Sequence, residues 1–217
     1  MIISHSKKFI FIHIYKTAGT SISAELLPYA RFIEKFSNYY STSVLVKIVN
    51  YLFNLNDHGN KWINGVHKHA KASEIKKYLG KKKFEDYFKF AFVRHPMDWQ
   101  VSLYEYIKNT PHKDHNLVKE ISFKEFVLME IKKGSPRQID FLYEDNNFIV
   151  DKIYKFENFR EEVKKLFKIL DINFKEDSLK HLNKSPRSKN YNHYYDSELE
   201  KLVRDYYSDD FNLLGYK

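Results

Sequence analysis

Residues 9–14 read Phe-Ile-Phe-Ile-His-Ile, β-branched or aromatic almost without interruption. That is the composition of a strand buried on both faces, as in a parallel sheet covered by helices on each side. The short polar stretch Lys16-Thr17-Ala18-Gly19-Thr20-Ser21 follows, and then the helix-forming run Ser23-Ala24-Glu25-Leu26-Leu27. A strand, a tight polar loop and a helix start aim unpaired backbone N–H groups at one point, where the helix dipole favours negative charge. Lys16 adds a mobile cation, and Thr17, Thr20 and Ser21 add hydroxyls. The loop is therefore a candidate site for a phosphate-like group.

The rest of the chain alternates in the same way. A short strand over residues 62–66 is expected to end at His67-Lys68-His69-Ala70. A helix over 71–79 is stopped by Gly80, and Lys81-Lys82-Lys83 reads as solvated charge. A second β run over 89–93 delivers Arg94-His95-Pro96, and a helix from about 98 to 108 carries Ser102. Ser122 and Glu125 form a capping box opening a helix that stops at Gly134. A strand over 151–156 follows, then a helix capped by Asn158 with Glu161. The last helix is capped by Ser197 with Glu200 and ends near 207. Residues 29–60 are harder to read, with an apolar helix candidate at 44–55 and a turn at 57–60. Strands alternating with helices give an α/β, three-layer, P-loop-like fold with a mainly parallel central sheet, expected as one domain over 1–217.

Composition narrows the partners. With 37 Lys and Arg against 28 Asp and Glu the net charge is +9, which favours anionic ligands. No cysteine is present, which excludes disulfides, thiolate metal sites and thiol catalysis. The first strand is expected within the opening ten residues, leaving no space for a signal peptide, and no run reaches the length of a membrane span. A cytoplasmic protein is expected, with peripheral attachment to a membrane-associated polysaccharide assembly left open.

Which phosphate ligand suits the loop depends on residue order. A nucleoside-triphosphate P-loop has Gly, four residues, then Gly-Lys-Ser/Thr, whereas here Lys16 precedes the only glycine. That order weakens a kinase using ATP. Arg94 falls at the carboxyl end of a strand, where ligands of open α/β sheets gather. Its guanidinium suits a second phosphate, with the Ser102 hydroxyl about 12 Å along the following helix. A non-catalytic basic nucleotide- or nucleic-acid-binding protein is the reading from another class, although no nucleic-acid module is recognisable.

Several motifs in order carry a resemblance. Lys16-Thr17-Ala18-Gly19-Thr20-Ser21 resembles the 5′-phosphosulfate loop of sulfotransferases that use 3′-phosphoadenosine 5′-phosphosulfate (PAPS). Arg94-His95-Pro96 with Ser102 resembles their 3′-phosphate motif. Lys68-His69-Ala70, the run from His181 to Ser185, the tyrosines at 191–195 and the stretch from Asp209 to Tyr216 are similar to carbohydrate sulfotransferases of the Golgi type or bacterial family 2. Tyr15 stands where relatives often have proline, and His95 where Asp or Asn is frequent. The resemblance implies sulfuryl transfer to a carbohydrate hydroxyl. Lys16 would stabilise the leaving phosphate, the loop through Ser21 would hold the 5′-phosphate, and Arg94 and Ser102 the 3′-phosphate. It also implies a flap bringing Ser185, Arg187 or Lys189 near the nucleotide. His69 is the expected base, with His67 the fallback. No metal is needed to rationalise this chemistry, and a site from His67, His69, His112 and His115 lacks a carboxylate at ligand spacing. The acceptor class stays open among an acidic glycan, a lipid-linked sugar and a smaller alcohol. Gln138 and Glu157 look like family positions without an assigned chemistry.

Overall fold

The computed structural model describes residues 1–30, 67–173 and 190–217. The sheet at its centre has four strands, in the order β1 (Ile2–Ser4), β2 (Phe9–Ile12), β3 (Phe88–Val93) and β6 (Lys152–Lys155). β2, β3 and β6 run parallel, and β1 pairs antiparallel with β2. A separate two-residue hairpin, β4 (Tyr143–Glu144) with β5 (Asn147–Phe148), lies between the last two parallel strands in sequence. The mainly parallel sheet and flanking helices are those the buried apolar runs imply.

Alternation along each strand divides the interior in two. Phe9, Phe11, Phe90, Phe92 and Tyr154 face one side and pack with helices α1 (Gly19–Leu26) and, through Phe159, Val163 and Leu166, α7 (Phe159–Ile169). Their rings are close: Phe11 stacks on Phe90 at 5.4 Å and Phe92 on Tyr154 at 5.1 Å. Ile10, Ile12, Ala91 and Val93 face the other side. There they meet α2 (Ala72–Leu79), α3 (Lys81–Asp86), α4 (Pro96–Asn109), α6 (Phe123–Lys132), α8 (Ser197–Tyr206) and α9 (Ser208–Leu213), each contributing buried side chains. The short α5 (His115–Glu120) adds Val118 to the same core. Helices on both faces make three layers, and the period-two alternation is what permits it.

Several local expectations shift. β1 is three residues long, too short for a periodic signal, and the strand expected over 9–14 ends at Ile12. Lysines 81–83, exposed as expected, nonetheless open α3, whose Phe84 is buried. α4 begins at Pro96 rather than 98, because a proline in the first turn forfeits no helical hydrogen bond. The Ser122–Glu125 capping box forms on both sides, and Gly134, at φ 65, follows the helix end. Asn158 makes no side-chain cap. The cap of α8 is Asp196, which accepts from the Leu199 N–H at 2.7 Å, one residue ahead of Ser197, and α8 is followed by α9. The expected strand at 62–66, the helix at 44–55, the turn at 57–60 and the flap residues Ser185, Arg187 and Lys189 lie outside the described residues. No helix among the described residues is long and apolar enough to cross a membrane.

Candidate active site

Parallel pairing brings the carboxyl ends of β2, β3 and β6 to one edge of the sheet, in register through Ile12 with Ala91 and Val93 with Lys155. The loop after β2, the Arg94 turn after β3 and Phe156 after β6 therefore lie side by side at that edge, the usual ligand position in such sheets.

The first loop is bent by two residues other than glycine. Lys16 and Ala18 adopt left-handed backbone, at φ 63 and 62. Left-handed residues alternating with right-handed ones are the backbone pattern from which anion nests are built. Ala18 caps α1, its carbonyl accepting from Ser21 N–H at 3.0 Å. The buried Thr17 hydroxyl donates to the Ile14 carbonyl at 2.8 Å, so it tightens the loop. Thr20 is exposed and Ser21 buried. Tyr15 stacks on Trp99 of α4 at 4.9 Å, and its backbone carbonyl accepts from the Trp99 indole N–H at 2.6 Å. The Lys16 ammonium lies 3.8 Å from the ring centre of Tyr106, also on α4.

Arg94 is held from several directions. Its Nε donates to Asp98 at 2.6 Å, one NH donates to the Lys16 carbonyl at 3.1 Å, and its guanidinium lies 4.2 Å from the ring centre of Phe156. Its backbone is gripped by Gln138, whose amide accepts from Arg94 N–H at 2.8 Å and donates to Arg94 C=O at 2.7 Å. Gln138 is held in turn by Asp210, which accepts from the N–H groups of Gln138 and Ile139 at 3.0 and 2.8 Å. Burial pushes the Asp210 carboxyl up to about 6, against the pull of those two hydrogen bonds. Next to Arg94, His95 N–H donates to Glu157 at 2.6 Å and its ring stacks on Tyr191 at 5.0 Å. Gln138 and Glu157 thus support the Arg94 turn. Ser102 is buried in α4, one turn before Tyr106.

The histidine pair flanks the first loop. His69 hydrogen-bonds through Nδ1 to the His13 carbonyl at 2.8 Å, and its ring lies 4.5 Å from the His13 ring. A carbonyl only accepts, so Nδ1 carries the proton and the neutral ring keeps its lone pair on Nε2. Burial pushes His69 down to about 3, only partly countered by that hydrogen bond. His67 Nδ1 accepts from the His69 backbone N–H at 3.0 Å, which occupies the lone pair a base would use. His112 and His115 are engaged elsewhere, with Asp114 N–H and the Ile107 carbonyl.

The structure therefore brings Lys16, Thr17, Ala18, Gly19, Arg94, His67 and His69 to one edge of the sheet. Sequence reasoning passed over Asp98, Tyr106 and Phe156. Asp98 carried a signal, since a carboxylate four residues after an arginine at a helix start is a pairing distance. Comparison with curated proteins and with solved structures gives no match. A family model described as the sulfotransferase family matches residues 1–217. A match over the full span makes the chain a member of the sulfotransferase family and a transferase of that type.

Proposed function

We propose that the protein transfers a sulfuryl group from PAPS to a carbohydrate hydroxyl. The observation that carries this reading is the hydrogen bond from Arg94 to the Lys16 carbonyl, which ties two cationic, anion-shaped turns into one crevice beside His69. A donor with phosphates at both its 5′ and 3′ positions matches two such turns. The donor supplies an activated sulfuryl group whose bond to the 5′-phosphate breaks as the acceptor oxygen bonds to sulfur. Lys16 leaves the Tyr106 ring to meet the negative charge growing on the departing phosphate oxygen. The N–H groups of the loop through Ser21 hold that phosphate, while Arg94 and Ser102 hold the 3′-phosphate. Flap residues Ser185, Arg187 and Lys189 remain part of this reading.

His69 is the base. Its Nε2 lone pair takes the acceptor proton, and the Nδ1–H bond to the His13 carbonyl strengthens as the ring becomes cationic. The depressed proton affinity of the free protein keeps Nε2 unprotonated across neutral pH, and a bound polyanion favours the imidazolium. Electrostatic positioning by Lys16 and the loop carries most of the acceleration, as in phosphoryl transfer. The net charge of +9 suits an acidic glycan or a lipid-linked sugar phosphate, and a cytoplasmic polysaccharide assembly is a fitting setting.

Calorimetric titration with 3′-phosphoadenosine 5′-phosphate (PAP), beside 5′-AMP and ATP and without added metal, tests the donor. Tight binding of PAP alone is expected. Equal binding of all three nucleotides would remove the 3′-phosphate role of Arg94 and Ser102 and return the kinase reading.

A further inference from the structure

His13 lies just beyond β2 and is almost completely buried, at 3% exposure. Its ring stacks on Phe11 at 5.5 Å and meets the His69 ring edge-on. A methyl group built on Gly19 would fall 1.8 Å from His13 Nε2 and 1.9 Å from Cδ2. Gly19 is the first residue of α1, between Ala18 and the hydroxyl residues Thr20 and Ser21. The imidazole edge thus occupies the space a side chain at Gly19 would fill, at the floor of the loop. That explains the glycine, since the left-handed bends are made by Lys16 and Ala18 and the missing side chain is needed for room.

The other ring nitrogen, Nδ1, is buried without a hydrogen-bond partner among the described residues. A neutral imidazole has one N–H and one lone pair, and a buried unpaired N–H costs more than an under-used acceptor. The lone pair therefore belongs on Nδ1 and the proton on Nε2, the edge turned to Gly19. Burial, and then His69, hold His13 well below the usual histidine range, so the ring is a neutral donor rather than a cation. An imidazole kept in an interior where phenylalanine would cost less implies a use for that donor.

We propose that His13 is a binding residue of the first loop, its Nε2–H donating a hydrogen bond to an oxygen of the donor's 5′-phosphate from the place of the missing Gly19 side chain. This rests on the reading that the loop holds that phosphate. A helix N-terminus supplies general attraction for an anion. The imidazole adds one directional contact that a phenyl ring of nearly the same shape lacks.

The test compares wild type, His13→Phe and His13→Gln by titration with PAP and with adenosine 3′-monophosphate, which lacks the 5′-phosphate. His13→Phe is expected to weaken PAP binding about ten- to a hundredfold, the range for one hydrogen bond to a charged group. Adenosine 3′-monophosphate affinity should not change, and His13→Gln, with an N–H at similar reach, should recover part of the loss. Imidazole nitrogen NMR of the wild type gives a readout independent of the variants. The His13 Nε2–H signal should move on adding PAP and stay in place with adenosine 3′-monophosphate. Equal PAP affinity for wild type and His13→Phe, or an Nε2–H signal indifferent to PAP, overturns the assignment. Failure of wild type to bind PAP at all is a different result, which removes the donor reading and this contact with it.

Discussion

The Arg94 guanidinium donates to the Lys16 carbonyl at 3.1 Å, so one cation ties the turn after β3 to the loop after β2. A 3′-phosphate clamp standing apart from the first loop would be dispensable for a ligand lacking that phosphate. On the proposed reading Arg94 is not, because releasing the Lys16 carbonyl frees a left-handed residue of the first loop. Arg94→Lys keeps the charge and loses the fork. It should weaken PAP binding by about tenfold or more, the scale of one charge-assisted hydrogen bond, and weaken 5′-AMP binding as well. Unchanged 5′-AMP affinity by calorimetry would confine Arg94 to the 3′ site.

Asp98 accepts from Arg94 Nε at 2.6 Å, with both side chains nearly buried. On the proposed reading its negative charge competes with the 3′-phosphate for the same guanidinium. Asp98→Asn keeps an acceptor and removes the charge, so nucleotide affinity should rise while stability to urea falls by about 1–3 kcal/mol. An affinity that falls together with stability would mean that Asp98 holds Arg94 in its binding pose.

Much of this crevice could be read from the chain, for definite reasons. The alternating apolar residues of β2 and β3 carry both a strand period and a burial pattern, and each strand ends on a polar turn. Lys16 and Arg94 follow from that directly. What escaped notice depends on distances between remote segments. Nothing near His13 announces that its ring fills the Gly19 side-chain space, because Gly19 reads equally well as a turn glycine. Asp210 lies 72 residues from the Gln138 N–H it accepts, and local pattern carries no signal over that separation. Tyr15 stacks on Trp99, a contact that appears only in three dimensions. The cap at Asp196 is hidden in the sequence by Ser197, an equally good local pattern one residue later.

His69 should govern turnover while leaving PAP affinity intact. His69→Gln removes the Nε2 base and should lower the rate of PAP formation from PAPS about 10²- to 10⁴-fold. The pH dependence separates His69 from other histidines. A base pushed down to about 3 is already unprotonated at pH 5, so kcat/KM should be level from pH 5 to 8. An acid limb near the ordinary histidine value would assign the proton to a more exposed ring.

Ala18 sits in left-handed backbone at φ 62 without being glycine. That conformation costs an L-residue about 1–2 kcal/mol, whereas glycine adds about 0.4–1 kcal/mol of unfolded-state entropy. Ala18→Gly should therefore raise stability by up to about 1 kcal/mol in a urea titration, with PAP affinity unchanged. A loss of stability would mean that the Ala18 methyl, which packs against the core around Phe9 and Phe11, contributes more than its strain.

Asp210 makes a prediction whose direction depends on pH. Its native carboxyl, pushed up to about 6, holds a proton that the unfolded chain has released between about pH 4 and 6. Its contribution to stability is therefore fully present only below about pH 4, is lost as the pH rises through 6, and is gone above about pH 7, about 3 kcal/mol in all. Asp210→Asn cannot titrate, and its single amide oxygen serves the two N–H groups of Gln138 and Ile139 less well. The stability advantage of wild type over the variant should accordingly narrow from pH 4.5 to pH 7. His13 and His69, both depressed, lose stability as the pH falls below about 6.5, but they are common to the two proteins and cancel in the difference. Urea titrations of the pair at both pH values measure it. An advantage that widens toward pH 7 would mean that the two backbone N–H groups outweigh burial and that Asp210 supports Gln138 as a fully charged acceptor.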